Sequence, residues 1–209
     1  MIRKILLLTK SSKRKNNNKY GNCVVGVDEN TMEFIRLVSD KSGDSLADDE
    51  IPFKPLDIIQ CKIDGPHPIG SQVENYIVDV SSIEKIDSRN IEFIKKLYEE
   101  NKFQRKSFFG DMNDCVFDIK PLGYSLSVIM VKNLAIYRDN NSKYKADFTI
   151  GNDKANNISM TDPDYYQSAK NATKSDPFRV GNAIIVVSLP SEPYRDGFYY
   201  KFIAKIFKI

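Results

Sequence analysis

Short apolar runs separated by turn residues dominate the chain, and the first, Ile5-Leu6-Leu7-Leu8 between Lys4 and Thr9, sets the pattern. Runs of this length, rich in Val, Ile, Phe and Tyr, read as strands. In the first half they predict strands over residues 4–10, 22–28, 32–39, 57–64 and 76–83, with Asp28-Glu29-Asn30-Thr31 as a polar turn. Residues 40–55 carry Gly43, Pro52 and Pro55 and read as a loop, and Gly65-Pro66-His67-Pro68-Ile69-Gly70 is strongly turn-forming. Five short strands suit a small β-barrel.

The period then changes. Ile91, Ile94, Leu97 and Tyr98 recur at helical spacing, with Lys95, Lys96, Glu99 and Glu100 on the remaining positions and Asp87 or Ser88 as the expected cap. Beyond the helix the chain turns polar and basic over residues 101–110. Strand signals resume over residues 125–137, 144–150, 157–161, 183–189 and 198–209. Thr161-Asp162-Pro163 is a helix-start signal, predicting a short helix over residues 165–170.

Two sets of about five strands predict a mainly β protein with a few helices. The expected architecture is two small barrels packed in one compact unit: residues 1–86, a helix and linker over 87–118, and residues 119–209. A single large β-sandwich is the alternative, since pattern alone does not separate the two. The 41% hydrophobic and 11% aromatic content is ordinary for a chain that buries a core, so the chain is expected to fold.

A net charge of +3 is too small to name a partner, but its arrangement is uneven. Lys10, Lys13, Arg14, Lys15 and Lys19 fall together in an expected first loop free of acidic residues, with Asn16-Asn17-Asn18 at its tip, while Asp44, Asp48, Asp49 and Glu50 make a later loop acidic. A charge run of this kind is either a solvated loop or a grip for phosphate. Cys23, Cys61 and Cys115 lack the paired spacing of a zinc or redox site and read as buried thiols in a reducing compartment. The N-terminal apolar run is too short for a secretion signal, and no stretch is long enough to span a membrane as a helix, so a cytoplasmic location is expected.

A family resemblance rests on residues spread along nearly the whole chain. They are Leu7-Leu8-Thr9-Lys10-Ser11, Cys23-Val24-Val25-Gly26-Val27-Asp28, Phe34-Ile35-Arg36-Leu37-Val38-Ser39, Leu56-Asp57-Ile58-Ile59, Gln72-Val73-Glu74-Asn75, Thr161-Asp162-Pro163, Val187-Ser188-Leu189 and Tyr200-Lys201-Phe202-Ile203-Ala204. In this order they resemble the bacterial proteins with a dual OB-containing domain. The resemblance implies two OB-like barrels and a nucleic-acid-binding role tied to prokaryotic conflict or defence systems, with a protein partner from the same system. It supplies no catalytic set.

Enzymatic chemistry has little to work with. His67, the only histidine, sits between two prolines with no nucleophile motif beside it, and neither the Walker nor the dinucleotide pattern occurs. Asp57, Asp64, Glu74, Asp79, Asp111, Asp114 and Asp118 could serve a metal-dependent nuclease only if three converged. The expectation is no catalytic residue, no metal and no cofactor.

Nucleic-acid binding is the favoured class, single strands above duplex. OB barrels take single strands across their second and third strands, using aromatic stacking and a basic groove. Phe34 and Arg36, two apart on one predicted strand, project from one face and could stack on a base and pair with a phosphate; the alternative places Met32, Phe34 and Val38 in the core. Lys10, Lys13, Arg14, Lys15 and Lys19 would add phosphate contacts. Lys102, Arg105 and Lys106, interleaved with Phe103, Phe108 and Phe109, form a second candidate cluster, although Phe108 and Phe109 also suit packing between barrels. Tyr165, Tyr166, Tyr194, Tyr199 and Tyr200 can stack bases or face a partner. The competing class is a protein-interaction or small-ligand-sensing module.

Overall fold

A computed structural model describes residues 1–14, 20–117 and 122–209. The chain divides into two units, Met1–Gln104 and Arg105–Ile209, each built on a closed five-stranded barrel. The division falls inside the stretch read as helix and linker.

The first barrel is made of β1 (Ile2–Arg14), β2 (Tyr20–Asp28), β3 (Phe34–Val38), β4 (Asp57–Pro66) and β5 (Asn75–Ser88), in the spatial order β1-β2-β3-β5-β4. All neighbours are antiparallel except β3 and β5, which pair parallel with Arg36 opposite Asn75. Ile5, Leu7, Val24, Ile35, Leu37, Ile59, Ile63 and Val78 fill the interior. Gly26 lets β2 lie against β1, because a Cβ there would stand 2.4 Å from Ile5 Cγ2 and 2.5 Å from the Leu6 carbonyl oxygen.

The second barrel repeats that order with β7 (Leu126–Arg138), β8 (Tyr144–Ile150), β9 (Asp153–Met160), β10 (Phe178–Ser188) and β12 (Phe202–Lys208), again with one parallel pair, β9 and β12. Two short strands, β6 (Cys115–Val116) and β11 (Tyr199–Tyr200), form a separate ribbon. Its core gathers Ile129, Leu134, Phe148, Ile158, Ile185 and Ile203.

Several boundaries depart from expectation. β1 runs on to Arg14, pairing with β2 as far as Arg14 opposite Tyr20, so Lys10, Lys13 and Arg14 belong to a hairpin strand and not to a loop. Backbone pairing extends the strand where no apolar alternation announces it. β5 continues to Ser88, opposite Asp57, which takes Asp87 and Ser88 out of the helix. The cap of α1 (Ile91–Glu99) is Asn90, whose side chain accepts from the Phe93 N–H. Only a 3₁₀ turn over Pro163–Tyr165 forms after Asp162, which caps it by accepting from the Asp164 N–H.

Candidate nucleic-acid interface

In the first barrel the second and third strands are closed over. All five residues of β3 are buried, with Phe34 2% and Arg36 3% exposed. The chain after α1 lays Phe103 on Phe34, ring centroids 6.4 Å apart and stacked. The Arg36 guanidinium donates to Cys23 Sγ at 2.7 Å. The expectation that Phe34 and Arg36 form an open binding pair is therefore corrected: they share the face of β3 opposite the barrel core, and that face is covered. Phe34-Ile35-Arg36-Leu37-Val38 is almost continuously apolar, which marks a strand buried on both faces.

The other expected contacts belong to different elements. Lys10 forms an ion pair with Asp48 at 3.0 Å, so the acidic loop reaches the basic hairpin. The Lys10 ammonium and the Asn22 amide hold the Asp48 carboxyl below its ordinary value. Lys13 and Arg14 lie at the end of β1, whereas Lys15 and Lys19 lie outside the described residues. Lys102 is exposed in the first unit; Arg105 and Lys106 are half-buried in the second, where Arg105 lies over the Tyr124 ring at 5.0 Å. Phe108 and Phe109 belong to the second barrel's core, Phe108 edge-on to Phe148 at 5.3 Å.

The second barrel presents the opposite picture. β8 and β9 alternate, turning Ala146, Phe148, Ala155 and Ile158 inward and leaving Lys145, Asp147, Thr149 and Asn157 at least partly exposed. Over this face opens a groove of about 820 Å³. It lies between the turn after β7 (Asp139, Asn141, Lys143) and the long connection from β10 to β12 (Tyr194, Asp196, Tyr200).

Each wall is held by identifiable bonds. Asp139 accepts from the Asn141 and Lys143 N–H groups, fixing the turn. Lys145 Nζ donates to the Asn157 carbonyl and Ser159 Oγ, and Asp147 accepts from the Asn157 N–H and the Tyr137 hydroxyl. Tyr144 stacks on Tyr166 with centroids 4.6 Å apart and donates its hydroxyl to the Tyr166 carbonyl at 2.9 Å. Tyr194, half exposed, stands edge-on to Tyr200 at 5.2 Å. The Tyr200 hydroxyl donates to Asp196, which pushes the phenol up to about 12 and keeps the Asp196 carboxyl low. Both groups hold their charge states across neutral pH.

Sequence reasoning singled out Tyr166, Tyr194 and Tyr200 but assigned them no groove, and it missed Tyr144, Lys143 and Lys145. The signal available was the polar turn 139–143 between two strong strands, the second barrel's counterpart of the first hairpin.

His67 Nε2 is bonded to the Lys41 carbonyl at 2.9 Å. Among the described residues no three His, Cys, Asp or Glu side chains come together as a metal site. Asp57 is tied to Lys85 and Ser88, Asp111 is tied to Lys201, and Asp118 lies outside the described residues. No helix among the described residues is long and apolar enough to cross a membrane.

Comparison with curated proteins finds no match. The dual OB-containing domain family matches the chain over residues 3–206, which takes in both barrels. With the same five-strand order closing twice in one chain, the protein belongs to the dual OB-containing domain family.

Proposed function

We propose that the protein is a non-catalytic binder of single-stranded nucleic acid that works through the open β8–β9 face of its second barrel. The observation that carries this reading is the groove of about 820 Å³ bounded by the two loops that OB folds use for oligonucleotides, with Tyr144, Tyr166, Tyr194 and Tyr200 along it. Aromatic faces in such a groove stack bases without regard to sequence. Lys13 and Arg14 of the first hairpin, and Lys102, are further candidate phosphate contacts. In the setting the family resemblance implies, the protein would be the recognition component of a prokaryotic defence system.

One observation favours the competing reading of a protein-interaction or small-ligand-sensing module: in this groove Lys143 and Lys145 face Asp114, Asp139 and Asp196. A salt series with single-stranded DNA, single-stranded RNA and duplex probes separates the two. The nucleic-acid reading expects single strands to bind best, affinity to fall steeply with salt, and Tyr194→Ala to weaken binding. Absence of single-strand binding at low salt, or full affinity in Tyr194→Ala, overturns it. A Lys13→Gln/Arg14→Gln variant reads whether the first hairpin contributes.

A further inference from the structure

The groove has a neighbour in the same unit. A second hollow of about 840 Å³ is lined by Tyr137 and Arg138 at the end of β7, by the turn that follows, and by residues 170–175 on the way to β10. Asp139 and Asn157 line both hollows, so the two adjoin.

Their charges differ in sign. The β8–β9 groove sets two lysines against three carboxylates, whereas the second hollow sets Arg138, Lys170 and Lys174 against Asp139 alone. Lys170 and Lys174 are exposed, with Thr173 and Ser175 supplying hydroxyls beside them. Arg138 joins the compartments: its guanidinium donates to the Ser142 carbonyl at 3.2 Å and the Lys170 carbonyl at 3.5 Å. It also lies over the Tyr144 ring at 5.5 Å, and Tyr144 in turn stacks on Tyr166.

We infer that the second hollow is a phosphodiester-binding subsite, so that one strand crosses both hollows with its bases against the tyrosines and its backbone on Arg138, Lys170 and Lys174. The inference rests on the function proposed above and divides that site into two roles. A polyanion running through the β8–β9 groove would meet more carboxylates than lysines; displaced to the adjoining cations, it gains counterion release while its bases still reach the aromatic wall. The favoured ligand is then an oligonucleotide long enough to occupy both compartments, not a mononucleotide.

The test is fluorescence anisotropy with labelled oligothymidylate and oligoadenylate of about 12 nucleotides, within the range one OB fold covers. Lys170→Gln/Lys174→Gln should weaken binding about five- to tenfold and make the slope of log affinity against log salt shallower by about 1.4, the loss of two single-strand phosphate contacts. Arg179→Gln/Lys208→Gln removes the same charge from exposed positions that line neither hollow, and should leave affinity and slope unchanged. Equal effects of the two double variants would mean diffuse attraction and overturn the subsite. Binding that is lost in Tyr194→Ala but keeps its salt slope in Lys170→Gln/Lys174→Gln overturns the subsite alone. Failure of the unaltered protein to bind either oligonucleotide removes the nucleic-acid reading and the subsite with it.

Discussion

The two barrels share a strand order, one parallel closure and a similar length, yet treat their second and third strands in opposite ways. In the first, β3 is buried at all five positions and Phe34 lies under Phe103; in the second, β8 and β9 alternate and their polar side lines a groove. Topology therefore does not decide where a surface is available. The residues on the outer face do: Phe34 and Arg36 are covered in the first barrel, whereas polar positions interleaved with tyrosine stay open in the second.

The largest test of that contrast is a pair of truncations. Phe34→Ala should cost about 3–5 kcal/mol, as should Phe148→Ala, since each empties a core position. Urea unfolding followed by hydrogen exchange should assign the first loss to residues 1–104 and the second to 105–209. Oligonucleotide affinity of the folded Phe34→Ala protein should be unchanged, whereas a true binding residue would lose affinity without losing stability.

Next in size is the groove itself. Tyr194→Ala should weaken single-strand binding about tenfold, the value of one stacked base, and Tyr194→Phe should restore it. Titration by anisotropy checks both, and a Tyr194→Phe protein as weak as the alanine variant would shift the role from the ring to the hydroxyl.

Acid should separate the barrels as well. Burial alone would raise the Asp28 and Asp57 carboxyls, but it is outweighed: the Thr31 and Asn30 N–H groups and Arg3 hold Asp28 low, and Lys85, the Lys54 N–H and Ser88 hold Asp57 low. Their stabilisation is fully present above the unfolded value of 3.8 and is lost as pH falls through the lower folded values. Asp162 runs the other way, since burial raises it against the pull of Lys205 and the Ile206 N–H. Its contribution is greatest below 3.8 and declines as pH rises through its raised folded value. Asp111 and Asp196 are also held low in residues 105–209, but Asp28, Asp40, Asp48, Asp57 and Asp87 are all held low in residues 1–104, so on acidification exchange protection should fail first there. Simultaneous loss would indicate that other carboxylates dominate.

The smallest expected effect belongs to the basic hairpin. Lys10→Gln breaks a solvent-facing pair with Asp48 and should lower stability by less than about 1 kcal/mol in urea unfolding. A larger loss would make the link between hairpin and acidic loop a structural tie.

Much of this fold was legible in the sequence because strands with one wet face alternate and turns carry Gly, Pro, Asn and Asp. What escaped depended on partners distant in sequence. Lys10-Ser11-Ser12-Lys13-Arg14 has no apolar alternation, and only pairing with residues 20–24 makes it a strand. Asp87, Ser88 and Asn90 are all competent caps, and the pairing of Ser88 with Asp57 selects Asn90. The candidate site was less legible still. Two-residue periodicity put Phe34 and Arg36 on one face correctly but could not say that the face is covered, while the groove draws residues from between positions 114 and 202.

The parallel closures β3–β5 and β9–β12 have a consequence for biosynthesis. Strands paired this way cannot be joined by a hairpin, so each cylinder stays open until its fifth strand arrives. On the ribosome the first can seal once residues 75–88 have emerged, while the second waits for Phe202–Lys208. Until then the unpaired edge of β9 and the apolar lining of β10 are exposed together, as the edges of β3 and β4 are until β5 arrives, so each barrel passes through a stage with two open strand edges.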